Sequence, residues 1–171
     1  MKPYIYILAF FFSQTCFAQK NVQVTDSFKI VTSSDSNIVT VDAIKKVPSQ
    51  KLPDLRLINH HGEFKKLLTK LEGIPIKIFL EKIQPVTAKP KELSEYYYIF
   101  RAGDDYMNVY SWNEIFNTAV GDSIYIITGY DGFTFDTMPD KIMVVSLSDN
   151  TTARRMLKGL RRVEVCRVSK Q

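Results

Sequence analysis

Cysteine, histidine and tryptophan are scarce in this chain, at two, two and one among 171 residues. Cys16 lies in an apolar N-terminal stretch and Cys166 near the other end. A disulfide-stapled mini-scaffold is therefore excluded. The histidines are neighbours, His60 and His61, with no Cys, Asp or Glu following at a zinc-site spacing. Glycine and proline number only seven each, which rules out collagen-like and low-complexity chains. No Gly-x-Ser-x-Gly, no glycine-rich phosphate loop and no Cys/His nucleophile pattern occurs. The sequence thus carries no self-contained active-site motif. With 45% hydrophobic and 24% charged residues, the composition is that of an ordinary globular protein, and the length bounds it to one domain. Only one long apolar stretch exists, so a multi-span membrane protein is excluded.

That stretch has the build of an export signal. Met1-Lys2 gives a positive start, Tyr4 to Phe12 is nearly all apolar, and Cys16-Phe17-Ala18 places small residues at −3 and −1. Residues 1–18 are expected to be a signal peptide, cleaved before Gln19, giving a destination outside the cytoplasm: periplasmic or secreted. A lipid anchor on Cys16 is disfavoured because Ser13-Gln14-Thr15 lacks the usual apolar and small residues before it. Cleavage removes Lys2 and no acid, so the net charge falls from +5 to about +4. Residues 19–171 then form a single domain large enough to bury about 70% of its unfolded surface. No membrane span remains after cleavage.

The rest of the chain reads as strands in hairpins with short helices between them. Val22 to Val31 is expected to be a strand, and Thr40 to cap a helix over Val41 to Lys46 that Pro48 ends. Leu55 to Ile58 and Phe64 to Leu68 form strands around the turn His60-His61-Gly62-Glu63. Gly73-Ile74-Pro75 is expected to open the clearest helix, whose apolar stripe is Ile76, Phe79, Leu80 and Ile83. After a polar connection, Tyr96 to Arg101 and Tyr106 to Tyr110 make a hairpin. Ser111 and Glu114 have capping-box spacing, predicting a helix that runs to about Gly121. Ile124 to Thr128 and Phe133 to Phe135 flank an Asp131-Gly132 turn. Lys141 to Leu147 and Arg161 to Val168 are strands, with part of Thr151 to Leu160 helical. The class is α+β with mainly antiparallel pairing.

Chemistry-bearing residues are few. His60 and His61 occupy a turn and point in different directions, so a shared metal is disfavoured. Asp104 and Asp105 sit at a hairpin tip, where adjacent carboxylates diverge into solvent. Six basic residues fall between Arg154 and Arg167, opposed by Glu164 alone. On a helical turn Arg154, Lys158 and Arg161 share a face suited to a phosphate or another anion. Nucleic acid is not an expected partner, given the small net charge and the lack of a stacking motif beside the cluster.

The order of these features carries a resemblance. Asn59-His60-His61-Gly62-Glu63-Phe64-Lys65-Lys66 precedes Gly73-Ile74-Pro75-Ile76-Lys77-Ile78-Phe79-Leu80. Then follow Tyr98-Ile99-Phe100-Arg101-Ala102-Gly103-Asp104-Asp105-Tyr106, Tyr110-Ser111-Trp112-Asn113-Glu114-Ile115-Phe116, Asp122-Ser123-Ile124, and Asp149 to Arg155. Across about residues 28–168 this resembles the oxidoreductase molybdopterin-binding domain of the sulfite oxidase fold, in a short bacterial form. In that family a Cys thiolate before the "G-v-p-L" helix binds molybdenum, and basic side chains hold the pterin phosphate. The matching segment here, Leu55 to Phe64, has no cysteine, and Cys166 lies in another element. The resemblance therefore implies the fold and its cofactor cleft without redox chemistry of the protein's own. The cleft would take a small ligand, anionic or pterin-like, or a protein partner. Asn59, His60, His61 and Arg101 would contact that ligand, with Arg154 and Arg155 as its anion contacts. The alternative is an oxidoreductase that uses molybdopterin without a protein thiolate ligand.

Overall fold

A computed structural model describes residue 24, residues 26–150 and residues 153–169. The export signal expected over residues 1–18, including Cys16, lies outside the described residues. The fold is α+β, with most strands in antiparallel pairs.

A five-stranded sheet is built from β1 (Ser27–Val31), β2 (Ser36–Thr40), then β7 (Tyr96–Ala102), β8 (Met107–Ser111) and β12 (Leu160–Arg167). Their spatial order is β2-β1-β12-β7-β8. Alternation decides which face goes inward. Phe28, Ile30, Tyr98, Phe100, Tyr110, Val163 and Val165 are buried, while Lys29, Met107, Val109 and Arg162 stay exposed. One pair departs from the hairpin expectation: β1 and β12 run parallel, with Lys29 opposite Arg162 and Val31 opposite Glu164.

The second sheet contains β3 (Gln50–Lys51), β6 (Glu72–Pro75), β9 (Ile124–Tyr130) and β10 (Phe133–Thr134), with β11 (Met143–Ser146) also paired to β9. All four β11 residues are buried. Inner residues of both sheets belong to one hydrophobic cluster. A separate two-stranded ribbon, β4 (Leu55–Ile58) and β5 (Phe64–Leu68), carries the turn predicted between them.

The segment at Gly73-Ile74-Pro75 does not open a helix. It is strand β6, held between β3 and β9. A Cβ on Gly73 would stand 2.9 Å from the Ile126 carbonyl oxygen, so this strand needs the missing side chain to approach β9. Helix is confined to the single turn α2 (Lys77–Leu80), the first helix α1 being Val41–Lys45. The stripe of Ile76, Phe79, Leu80 and Ile83 is nevertheless buried. Thr40 caps α1 as expected, its hydroxyl accepting from Ala43 N at 3.2 Å.

The capping box also forms. Ser111 Oγ accepts from Glu114 N at 3.1 Å, and Ser111 N donates to Glu114 Oε2 at 2.7 Å. The helix it starts, α3 (Trp112–Phe116), stops short of Gly121; a second turn, α4 (Ala119–Asp122), is capped afresh by Thr118. Ser111→Ala should cost about 1 kcal/mol, read as a lowered urea midpoint with an unchanged m-value. Between Thr151 and Leu160 the expected helix is absent among the described residues: 153–159 are irregular, and Leu157 bridges to Val144.

Candidate functional site

Three connections meet at one end of the five-stranded sheet and enclose an open cleft of about 390 Å³. The first is the β4–β5 turn. Asn59 organises it: its Oδ1 accepts from His61 N at 3.0 Å and Glu63 N at 2.9 Å, and its Nδ2 donates to Glu63 Oε2 at 2.8 Å. Gly62, at φ +81°, lets the chain reverse. Both ends of the Asn59 amide are thus committed within the turn, although the residue borders the cleft.

The second connection is the β7–β8 turn. Asp104 Oδ1 accepts from Tyr106 N at 3.1 Å, and Asp105 takes φ +67°. This is turn chemistry. The third is the segment before β12, which is stitched to the other two. Ala153 N donates to the Ile58 carbonyl at 3.1 Å, the Tyr106 hydroxyl donates to the Arg154 carbonyl, and Asn108 Nδ2 donates to the Arg155 carbonyl at 2.9 Å.

Asn59, His60, Lys65, Tyr106, Ala153 and Arg154 line the cleft. Of the residues expected from sequence, the structure therefore brings together Asn59, His60 and Arg154. His61 lies against His60, ring centroids 3.8 Å apart, but is not part of the lining. Arg101 is also outside it, with Nη2 3.7 Å from Glu164 Oε2 on the neighbouring strand.

Arg155 points to a different task. Its Nε donates to Asp149 Oδ2 at 2.7 Å and its Nη2 to Asp149 Oδ1, while Nη1 stands 3.5 Å from Glu114 Oε1. The guanidinium carbon lies 4.6 Å from the centroid of the buried Tyr110 ring. Hydrogen bonding to Asp149 raises the guanidinium's pKa, and burial pushes that of the Tyr110 hydroxyl far above its usual range. Arg155 is a strut beneath the loop.

Three lining residues escaped the sequence reading, Lys65, Tyr106 and Ala153. Lys65 lies in a strand whose first four residues are all exposed, so nothing local singles it out, and only the fold sets it beside Arg154. Among the described residues, neither the Lys65 ammonium nor the Arg154 guanidinium has an ion-pair partner, although both border one cleft.

The donor set does not fit a molybdenum-bearing pterin. The lining offers no thiolate, and imidazole is a poor substitute for one at a metal that favours sulfur. Cys166 pairs across to Tyr97, whereas Leu160, at the cleft end of the same strand, pairs to Ala102. Six residues of strand put the thiol about 20 Å from that end. Burial and the nearby Glu164 carboxylate raise the thiol's pKa, which disfavours the thiolate. Among the described residues no three His, Cys, Asp or Glu side chains converge on a metal position. No helix of the described residues is long and apolar enough to cross a membrane. Compared with known proteins, the chain matches no family model and no curated protein sequence.

Proposed function

We propose that this is an exported protein of the molybdopterin-domain type that binds a small anion in the cleft between its β4–β5 turn, its β7–β8 turn and the segment before β12. It holds the ligand without redox chemistry of its own. The contrast among its cations supports this reading. Lys158, Arg162 and Arg167 are matched to carboxylates, at 3.0 Å from Asp140, 3.0 Å from Glu164 and 2.6 Å from Glu95 respectively. Lys65 and Arg154 line a cavity and have no such match among the described residues.

In the proposed complex Lys65 supplies a compact positive charge and Arg154 a planar fork suited to a carboxylate or phosphate. His60 adds one polar ring edge. The exposed Tyr106 ring forms a wall, kept upright by the hydroxyl's bond to the Arg154 carbonyl. That bond also couples the aromatic wall to the backbone that carries the arginine.

Calorimetric titration with inorganic phosphate, sulfate and citrate tests the reading. At least one of these should bind, and Lys65→Ala with Arg154→Ala should weaken it by at least about a hundredfold, since each charge-assisted hydrogen bond contributes about 1.5–3 kcal/mol. Affinity should also fall as salt is added. Equal affinity in the double variant would remove the cleft from consideration as the anion site.

A further inference from the structure

A second recess, of about 310 Å³, lies on the other sheet, shares no lining residue with the cleft described above, and is bordered by Ser49, Lys70, Glu72, Thr128, Phe133 and Thr134. Its walls are fixed to one another. The Asp131 carboxylate, at the tip of the β9–β10 hairpin, accepts from Thr69 N at 2.7 Å and Thr69 Oγ1 at 3.1 Å, and pairs with Lys66 at 2.9 Å. In return Asp131 N donates to the Thr69 carbonyl at 2.7 Å. Lys70, the next residue, is held at φ +51° with its N–H directed to Asp54 Oδ1 at 3.3 Å. The wall bearing Lys70 and the wall bearing Phe133 are therefore preorganised, which lowers the ordering cost of binding.

The chemistry of the lining is unusual in its pairing. Lys70 and Glu72 border the same recess, and among the described residues no ion pair joins them. Among the described residues the Lys70 ammonium has no carboxylate partner, and the Glu72 carboxylate meets only the Ser49 hydroxyl, at 3.5 Å. Thr128 also borders the recess, but its Oγ1 is sealed from solvent, without a hydrogen-bond partner, and so contributes shape to the wall rather than a contact. Gly129, opposite Glu72 in the sheet, leaves the floor without a side chain. The half-exposed Phe133 ring forms an apolar lip.

We propose that this recess binds the charged head of a free α-amino acid. The ligand carboxylate meets Lys70, its ammonium meets Glu72, and an apolar side chain lies on Phe133. A simple anion would satisfy Lys70 but face the Glu72 carboxylate, and a simple cation would meet the reverse. A zwitterion answers both charges at once, and it does so independently of the anion cleft.

The test is a titration of the isotopically labelled full chain, followed by amide resonances, with L-leucine, N-acetyl-L-leucine and L-leucine amide. L-Leucine should shift resonances of β6, β9 and β10, and each blocked form should bind at least tenfold more weakly. Lys70→Ala and Glu72→Gln should each weaken L-leucine at least tenfold. Both residues are exposed, so the variants should keep a dispersed spectrum. Equal binding of free and blocked forms would overturn the proposal, leaving an apolar contact alone. So would the lack of any local shift at on the order of 10 mM L-leucine, where even a small two-charge ligand should register.

Discussion

Arg155→Ala should destabilise the protein by about 3 kcal/mol, whereas Arg154→Ala should change its stability by less than about 0.5 kcal/mol. The two residues are adjacent in sequence and identical in chemistry, so the difference comes entirely from surroundings. Arg155 supplies two hydrogen bonds to Asp149, whose side chain is only 9% exposed. Without the guanidinium, that carboxylate keeps just the Ser146 hydroxyl, at 2.9 Å, among the partners seen for it here. An under-solvated anion is then left behind, and the Tyr110 ring loses the guanidinium that lies over it. Removing one partner of such a pair costs far more than the pair is worth in net stability. Arg154, by contrast, is exposed, and its backbone carbonyl, which binds Tyr106, survives substitution. Urea unfolding of both variants, with Arg155→Met/Asp149→Asn as a third, measures this. The double variant should recover part of the loss by removing the stranded charge. A midpoint for Arg155→Ala indistinguishable from that of Arg154→Ala would show that Arg155 is not a strut.

Gly121→Ala should be at least as damaging, costing about 3 kcal/mol or more, because the added methyl has nowhere to go. A Cβ at Gly121 would stand 1.8 Å from the Ile115 carbonyl oxygen and 2.7 Å from the Ile115 Cα. These are backbone atoms of α3, so no rotamer change relieves the clash. Ile115 is fully buried and cannot retreat without disturbing the core. The substitution must therefore push α4 off α3, breaking the turn that Thr118 caps through its bond to Val120 N at 3.2 Å. Thermal unfolding of the variant, or failure to recover folded protein, is the readout. A transition within a few degrees of the parent would mean that the two helical turns can separate at little cost.

The features legible in the sequence were those with local causes. The capping box at Ser111 and Glu114 needs only residues three apart, and the β4–β5 and β7–β8 hairpins need only alternation and a turn. Gly73 to Pro75 misled because helix-compatible spacing and a Pro in first-turn position are local cues, whereas β9, fifty residues away in sequence, decides the outcome by pairing with that segment. Apolar spacing alone still identified what is buried there, since Ile76 and Leu80 pack inward whatever the backbone does. The basic stretch from Arg154 misled similarly. A shared helical face was expected, but hydrogen bonds to Ile58, Tyr106 and Asn108 draw the segment out into an irregular path. Those same bonds create the cleft, so Lys65 became visible as Arg154's neighbour only once three distant connections had met.

The position of β12 has a consequence for how the chain is made. This strand sits in the middle of the five-stranded sheet, between β1 and β7, yet it is the last strand in chain order among the described residues. As synthesis proceeds, β1 and β2 can form a ribbon, and β7 and β8 another, but the two ribbons have no shared edge until Leu160 to Arg167 arrives. Their apolar faces must wait for that final insertion, a long-range closure of the kind that slows folding. Completion of this sheet is thus delayed until Leu160 to Arg167 has left the ribosome. For a chain proposed to leave the cytoplasm, such delay keeps the nascent protein unfolded, and so able to thread through a narrow translocation channel.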